Sequence, residues 1–524
     1  MITSITIPLG LSPAAAFALA AVSFCILTLS LHILYNLYLH PLRQYPGPRL
    51  WAATQIPYLR AWLSGRAPFT ITDLHNRYGE IVRVAPDRLS YASPQAWHDI
   101  RGHRKAGQGE NGKDAAFYYT SRHNLLGAGR ISHARMRRLL AHGFSAKAML
   151  AQQPLITSYV DLFISRLRDM VRENEGRPTD VNLVAWFNYV TFDVIGDLAF
   201  GAPFESLELG REHPWVAAVF NSVEEFGKMV AVRYGAPKLH AHVMPVFAAI
   251  SGVGKPLQQQ AGFAGEQIDK RLALQGRRPD FIDSLLHGAE KEKEKEEKEE
   301  GGLSREEIVQ NMRLLVLAGS ETTATVLSGA AYFLARHGEV QRKLAEEVRG
   351  RFKSEDEIDM LSVQGLTYML AVLDESMRMF PPVPASMPRT CQPGGDVICG
   401  LPVPGGTGLD IWPWALNYST SNFADPEKFI PERWVEEGRD PKFDNDRREA
   451  LQPFSVGPRN CIGKNLAYVE MRLILARLIW NFDLAVSDDE MWDNWITDSK
   501  AYNLWLKDPL PVRLTPASHA PIKQ

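Results

Sequence analysis

The chain has 524 residues, 45% hydrophobic and 23% charged, with a formal net charge of −2. That is the composition of a globular protein with ample core, and a near-neutral balance supplies no electrostatic footprint for a nucleic-acid partner. Four scattered cysteines, Cys25, Cys391, Cys399 and Cys461, are too few for a disulfide framework and fit a reducing compartment.

The first charged side chain is Arg43. From Ala14 to Leu31 every residue is apolar or hydroxylic, and the run continues through Leu34, Leu37 and Leu39, long enough to span a bilayer as a helix. A cleaved signal peptide would carry a basic segment first, and residues 1–13 hold no lysine or arginine. Arg43 and Arg49 follow the span, so the positive-inside rule puts the rest of the chain in the cytosol. Residues 1–40 are expected to be a membrane anchor. Residues 41–50, with Tyr45-Pro46-Gly47-Pro48, are expected to be a stiff non-helical hinge before a domain over 51–524.

A short helix over Phe69–Tyr78 and two strand-like runs, Ile81–Val84 and Arg88–Tyr91, come next, punctuated by Gly79, Pro86 and Pro94. Residues 101–130 hold six glycines and an aromatic cluster, Phe117, Tyr118 and Tyr119, and read as a loop. Ser132 is read as the N-cap of a helix on which His133 and Arg137 share a face, with Arg135 and Arg138 turned to the outer surface. Residues 154–200 read as helices with Pro154 at an N-terminus, and 211–275 as helices broken at Pro214, Pro237, Pro245 and Pro256. Residues 290–300 carry seven Glu, four Lys and nothing apolar. They belong to a charged insertion over 288–302 that can bury nothing.

A long helix from Ser304 to Arg336 opens on a capping box, Ser304 with Glu307. Inside it lies Ala318-Gly319-Ser320-Glu321-Thr322-Thr323; a glycine in mid-helix costs roughly 1 kcal/mol against alanine and invites a reason. Glu375 and Arg378 sit i,i+3 on one helix, which Pro381-Pro382-Val383-Pro384 ends. A strand is expected over 383–388, hairpin character over 391–412, and the segment Phe429-Ile430-Pro431-Glu432-Arg433-Trp434 follows. An amphipathic helix is expected over Asn465–Trp480, then short strands over 501–515 with a turn near Tyr502–Trp505 reaching inward.

The ten residues 454–463 spell F-x-x-G-x-R-x-C-x-G. A lone Cys461 would read as a small buried hydrophobe. The surrounding pattern argues otherwise: a thiolate can be the axial ligand of a haem iron, where its electron density favours O–O cleavage. Gly457 and Gly463 would let the backbone bend around the sulfur and aim amides at it, Arg459 would pair with a haem propionate, and Phe454 would keep water from the sulfur.

This loop resembles the haem-binding loop of the cytochrome P-450 superfamily at every fixed position, and the other motifs recur in that superfamily's order along nearly the whole chain. The resemblance implies one large, mainly α domain with small β-sheets around a buried haem b, instead of the three domains of ~150 residues that length alone suggests. It implies that Cys461 binds the iron and that His133, Arg137, Arg389 and Arg459 hold the propionates. It also implies that Gly319 leaves room for dioxygen, that Glu321 and Thr322 manage protons, and that Glu375, Arg378 and Arg433 form a buried lock. Residues 101–130 would lie over the substrate. Arg130 departs from the acidic or neutral residue expected there.

Phe192–Gly201 and Ala318–Thr323 look like a fungal branch containing isotrichodermin-hydroxylase-like enzymes. The implied activity is insertion of one oxygen atom into an apolar terpenoid, polyketide or alkaloid of secondary metabolism, at the endoplasmic reticulum membrane. No G-x-G-x-x-G lies between a strand and a helix, so electrons are expected from a separate NADPH–cytochrome reductase, with cytochrome b5 as a further donor. Two rivals stand beside this. A haem-thiolate isomerase or dehydratase would not need Glu321 and Thr322, and a non-catalytic haem sensor would need neither these nor an apolar pocket.

Overall fold

The computed structural model describes residues 12–105, 108–118, 122–235, 255–274, 278–286, 302–487 and 490–519. The charged run at 290–300, Tyr119, Pro237 and Pro245 lie outside them. The axis of the domain is the helix Arg305–Arg336, 32 residues long. Its start is fixed as expected: the Ser304 hydroxyl accepts from the Glu307 amide at 3.1 Å, and the Ser304 amide donates to the Glu307 carboxylate at 2.9 Å. Against it lies the helix Leu183–Phe200, in which every residue from Val190 to Phe200 is buried. A helix buried on all sides belongs in a core. Both helices are long and apolar enough to cross a membrane, yet 78% and 72% of their apolar windows are buried inside the domain. The helix Pro13–Leu39 differs, with none of its window buried.

Gly319 is where the two core helices touch. A Cβ there would sit 2.9 Å from Ile195 Cδ1, so the glycine lets the two helices approach closely without moving that side chain. Behind them runs the helix Lys464–Asn481, and its expected amphipathic pattern does not hold: from Leu473 to Asn481 it is buried all round. Glu470 in that helix is buried with Oε1 unpartnered, and burial pushes its carboxyl up to about 8. An unfolded carboxyl titrates near 4.5, so the native state retains a proton that the unfolded chain loses. Stability present below 4.5 is therefore lost as pH rises towards 8, by up to roughly 5 kcal/mol. Glu470→Gln should melt with the parent in acid and several degrees above it at pH 8. Parallel pH profiles for the two proteins would contradict this.

The β-structure is peripheral. One sheet of five strands runs Ile81–Ala85, Arg88–Tyr91, Gly408–Ile411, Arg389–Thr390, Gly112–Lys113, with Arg88–Tyr91 parallel to Gly408–Ile411. A three-stranded sheet places Pro511–Pro516 between Thr179–Asn182 and Phe482–Val486. Short hairpins Asp396–Ile398/Leu401–Val403 and Lys500–Ala501/Trp505–Leu506 complete the strands among the described residues.

Several boundaries differ from expectation. Pro154 lies inside the helix Ala146–Glu173, which Ser145 caps and which a buried stripe from Ile156 to Val171 carries past the missing amide. Gly129, not Ser132, caps the helix Arg130–Leu140. Residues 383–388 form no strand, since four prolines between 381 and 388 remove ladder donors. Residues 41–50 are not wholly non-helical: Pro41–Gln44 forms a helical turn with Leu42 and Tyr45 buried, and the Arg83 amide donates to Pro46 O at 2.7 Å.

Candidate functional site

The loop 454–463 is shaped by one glycine above all. Gly457 has φ +77°, and a Cβ on it would stand 2.0 Å from the carbonyl oxygen of Arg101. The loop can therefore seat on the helix Gln95–Arg101 only with glycine here. The Cys461 amide donates to Phe454 O at 2.8 Å, closing the turn. Cys461 is exposed at the loop surface, yet the protein packed around it desolvates the thiol and pushes it up, while the Gly463 amide, Arg137 and Lys464 pull the other way by favouring the thiolate. Phe454 packs beside Tyr468 at 5.1 Å between centroids, against the core.

Next to the loop is a cavity of about 450 Å³ lined by Arg101, Arg389, Arg459, His133, Arg137 and Glu110 among others. Arg137 donates to Asn460 O at 2.6 Å and so reaches the residue preceding the cysteine. Arg459 donates to Ala128 O at 3.1 Å and to Glu110 at 2.9 Å. The Nε atoms of Arg389 and Arg101 are buried without a partner. Burial, then the charges of Arg459, Lys113 and Arg137, push His133 down to about 3. Lys113 is pushed down to about 7 by burial and by Arg459 and Arg389.

Glu110 is the counter-charge. Burial works against its ionisation, but the Arg459 hydrogen bond and nearby arginines hold it below the usual range. Arg130 is one of those arginines, so the departure noted in the sequence sits at this cavity. The excess of cations around the cavity, with the buried Nε donors of Arg389 and Arg101 unpartnered, fits the paired propionates of a haem beside Cys461. Arg101, Glu110 and Lys113 were not singled out from the sequence, because no short-range spacing links them to the cysteine. Arg135 does not face outward: it pairs with Glu307 and so ties its helix to the capping box.

On the Arg305–Arg336 helix, the Thr322 hydroxyl donates to Ala318 O at 2.6 Å. Glu321 points elsewhere and is almost fully buried. It forms an ion pair with Lys507, and the same ammonium donates to the Thr325 hydroxyl at 2.9 Å. The second oxygen, Oε2, is buried without a partner. Burial raises the Glu321 carboxyl, with Lys507 opposing it. Above lies an apolar cluster of Val223, Tyr502 and Leu504, with Leu317, Val383 and Leu506 packed against it.

The Glu375 carboxylate is fully buried and accepts from Arg378 at 2.8 and 2.9 Å, Arg433 at 3.1 Å, the Ile430 amide at 2.9 Å and Trp434 Nε1 at 2.8 Å. This is the lock implied by the two separated motifs.

A thiol held in a glycine-shaped loop beside under-neutralised arginines fits a haem-thiolate protein. The family model for cytochrome P450 matches residues 44–509, and the chain belongs to that family. It is 42% identical to an averantin hydroxylase of Dothistroma septosporum, over 92% of this chain and 88% of the relative. It is 40% identical to a trichothecene C-15 hydroxylase of Fusarium sporotrichioides, over 92% and 94%. A cytochrome P450 monooxygenase of Hormonema carpetanum, efuB, is 38% identical over 99% of both chains. The protein is thus an oxidoreductase of a monooxygenase family that binds haem iron through a cysteine thiolate.

Proposed function

We propose that the protein hydroxylates an apolar small molecule of fungal secondary metabolism, a terpenoid, polyketide or alkaloid. In this reading a separate NADPH–cytochrome reductase supplies electrons, with cytochrome b5 as a further donor. The helix Pro13–Leu39 holds the enzyme in the endoplasmic reticulum membrane as a single span, with the domain on the cytosolic side. Two relatives bear the name hydroxylase, which supports the reaction type.

Haem ligated by Cys461 supplies the activation of dioxygen. Arg389, Arg459, Arg137 and His133 hold its propionate side, and Gly463 directs its amide to the sulfur. Val223, Leu317, Val383, Tyr502 and Leu504 exclude water and bind the substrate's apolar surface.

The observation that carries the reading is the Glu321–Thr322 pair. Successive positions on a helix point about 100° apart, so the two side chains address different spaces. Thr322 already donates to Ala318 O, which leaves its oxygen free to accept and orient a hydrogen bond. Glu321 is anchored through one oxygen by Lys507 and keeps Oε2 for a mobile proton. A buried ion pair is costly to maintain, and neither rearrangement nor haem sensing needs one here.

Thr322→Ala should still load haem, bind substrate and consume NADPH, with product falling about tenfold or more and hydrogen peroxide rising in its place. Thr322→Ser, which keeps the hydroxyl, should stay near the parent. Lys507→Met should behave like the alanine variant, because a Glu321 with no counter-charge retains its proton too tightly. Product and peroxide per NADPH decide the matter, and unchanged coupling in Thr322→Ala would remove the proton role.

A further inference from the structure

We propose that the membrane helix and the catalytic domain form one rigid body, and that their junction sets the tilt at which the domain meets a lipid bilayer. The inference rests on the proposed insertion of Pro13–Leu39, a span of 27 residues with mean hydropathy 2.2. The last turn of that span widens into a π-helical turn, Tyr35–Leu39, and there the polar residue Asn36 turns into the domain. It is 2% exposed, and its amide donates to Ala53 O at 2.9 Å. Its own carbonyl accepts from Arg83 Nη1 at 2.9 Å, and the other guanidinium nitrogens donate to Pro86 O at 3.1 and 2.6 Å. The end of the membrane helix is thereby fastened to the turn between two strands of the five-stranded sheet.

No slack follows. The Leu42 amide donates to His40 Nδ1 at 3.1 Å, capping a short turn, and the Leu42 side chain is fully buried beside Tyr45, Tyr91 and Trp97. The Tyr45 hydroxyl donates to Pro402 O at 2.8 Å. Pro46 O accepts from the Arg83 amide, and a Cβ on Gly47 would stand 2.5 Å from Arg83 O. Every few residues from Asn36 to Gly47 thus carry a specific contact, where a linker would carry none.

The junction also selects a face. Leu50, Ile56 and Leu63, on the short helices Arg49–Ala53 and Ile56–Leu63, are 66%, 69% and 48% exposed. Leu50 shares its helix with Ala53, the acceptor of Asn36, and Ile56 and Leu63 lie on the helix that follows, so the occupant is the same bilayer. In this arrangement they rest on lipid because the junction delivers them there, rather than orienting the domain themselves.

The test uses full-length, haem-loaded protein in supported, oriented phospholipid bilayers, with the tilt of the haem plane read from linear dichroism of the Soret band. Vesicle flotation reports insertion separately, and a parent that does not float overturns the membrane reading and the junction with it. The parent should show one narrow tilt. A Gly-Ser insertion of about six residues after His40, spanning roughly 13 Å, should at least double the angular spread while leaving the spectrum of the reduced carbon monoxide complex unchanged. Asn36→Ala combined with Arg83→Met should do the same, and the insertion decides if that pair does not fold. Ile56→Ser with Leu63→Ser should leave the tilt unchanged. A broad parent distribution, a narrow one after insertion, or a tilt moved by the serine pair would each overturn the proposal.

Discussion

Cys461→Ser is expected to abolish turnover and the strongly red-shifted Soret band of the reduced carbon monoxide complex. The substitution is nearly isosteric, and the contacts that shape the loop are made by backbone: Gly457 against Arg101, and the Cys461 amide on Phe454 O. The loop should therefore persist, so that what changes is the ligand. A soft sulfur ligand is replaced by a hydroxyl that stays protonated and donates little electron density. Residual haem held through Arg389 and Arg459 should show an ordinary spectrum. A serine variant retaining both the red-shifted band and product would refute the ligand assignment.

Glu375→Ala is expected to yield no folded, haem-loaded protein. Its carboxylate is the shared anion for Arg378 and Arg433, each with fully buried side chains. Burial opposes ionisation of Glu375, but Arg378, Arg433 and the Ile430 amide overcome it and hold the carboxyl below its usual range. Stability from this group is present above the unfolded carboxyl range and lost as pH falls through the lower, folded value. Removing it leaves Arg378 without an anion and Arg433 with Asp446 alone. Uncompensated charge of this kind costs about 3–5 kcal/mol, against a total stability of about 5–15 kcal/mol. The Soret absorbance of the purified variant, relative to protein, measures the loss; normal haem content would show that the remaining backbone acceptors suffice.

What could be read from the sequence was whatever chemistry writes at short range. The cysteine loop and the Ser304–Glu307 capping box each lie within a few turns of chain, and each appears at the expected place. The trio of Glu375, Arg378 and Arg433 was legible because two short motifs carried it. Lys507 was not: its partner Glu321 is 186 residues away, and nothing local marks that lysine. Glu110, Lys113 and Arg101 escaped for the same reason. The errors were tertiary overrides. Proline favours first turns, which places a helix start at Pro154 in the sequence, but burial on either side carries the helix through it. The helix Lys464–Asn481 reads as amphipathic in the sequence, but Glu470 and Arg477 are enclosed as well.

The three-stranded sheet bears on how the chain is made. Its middle strand, Pro511–Pro516, pairs with Thr179–Asn182 on one side and Phe482–Val486 on the other. During synthesis the first of these waits, with an open edge, while more than half of the polypeptide emerges. Lys507, in the approach to that strand, reaches Glu321 only at the same late moment. Closure of the sheet and neutralisation of the buried carboxylate are therefore a single terminal event. A nascent chain still tethered at its C-terminal end carries a buried carboxylate without its counter-ion and an unpaired strand, which makes it a client for chaperones.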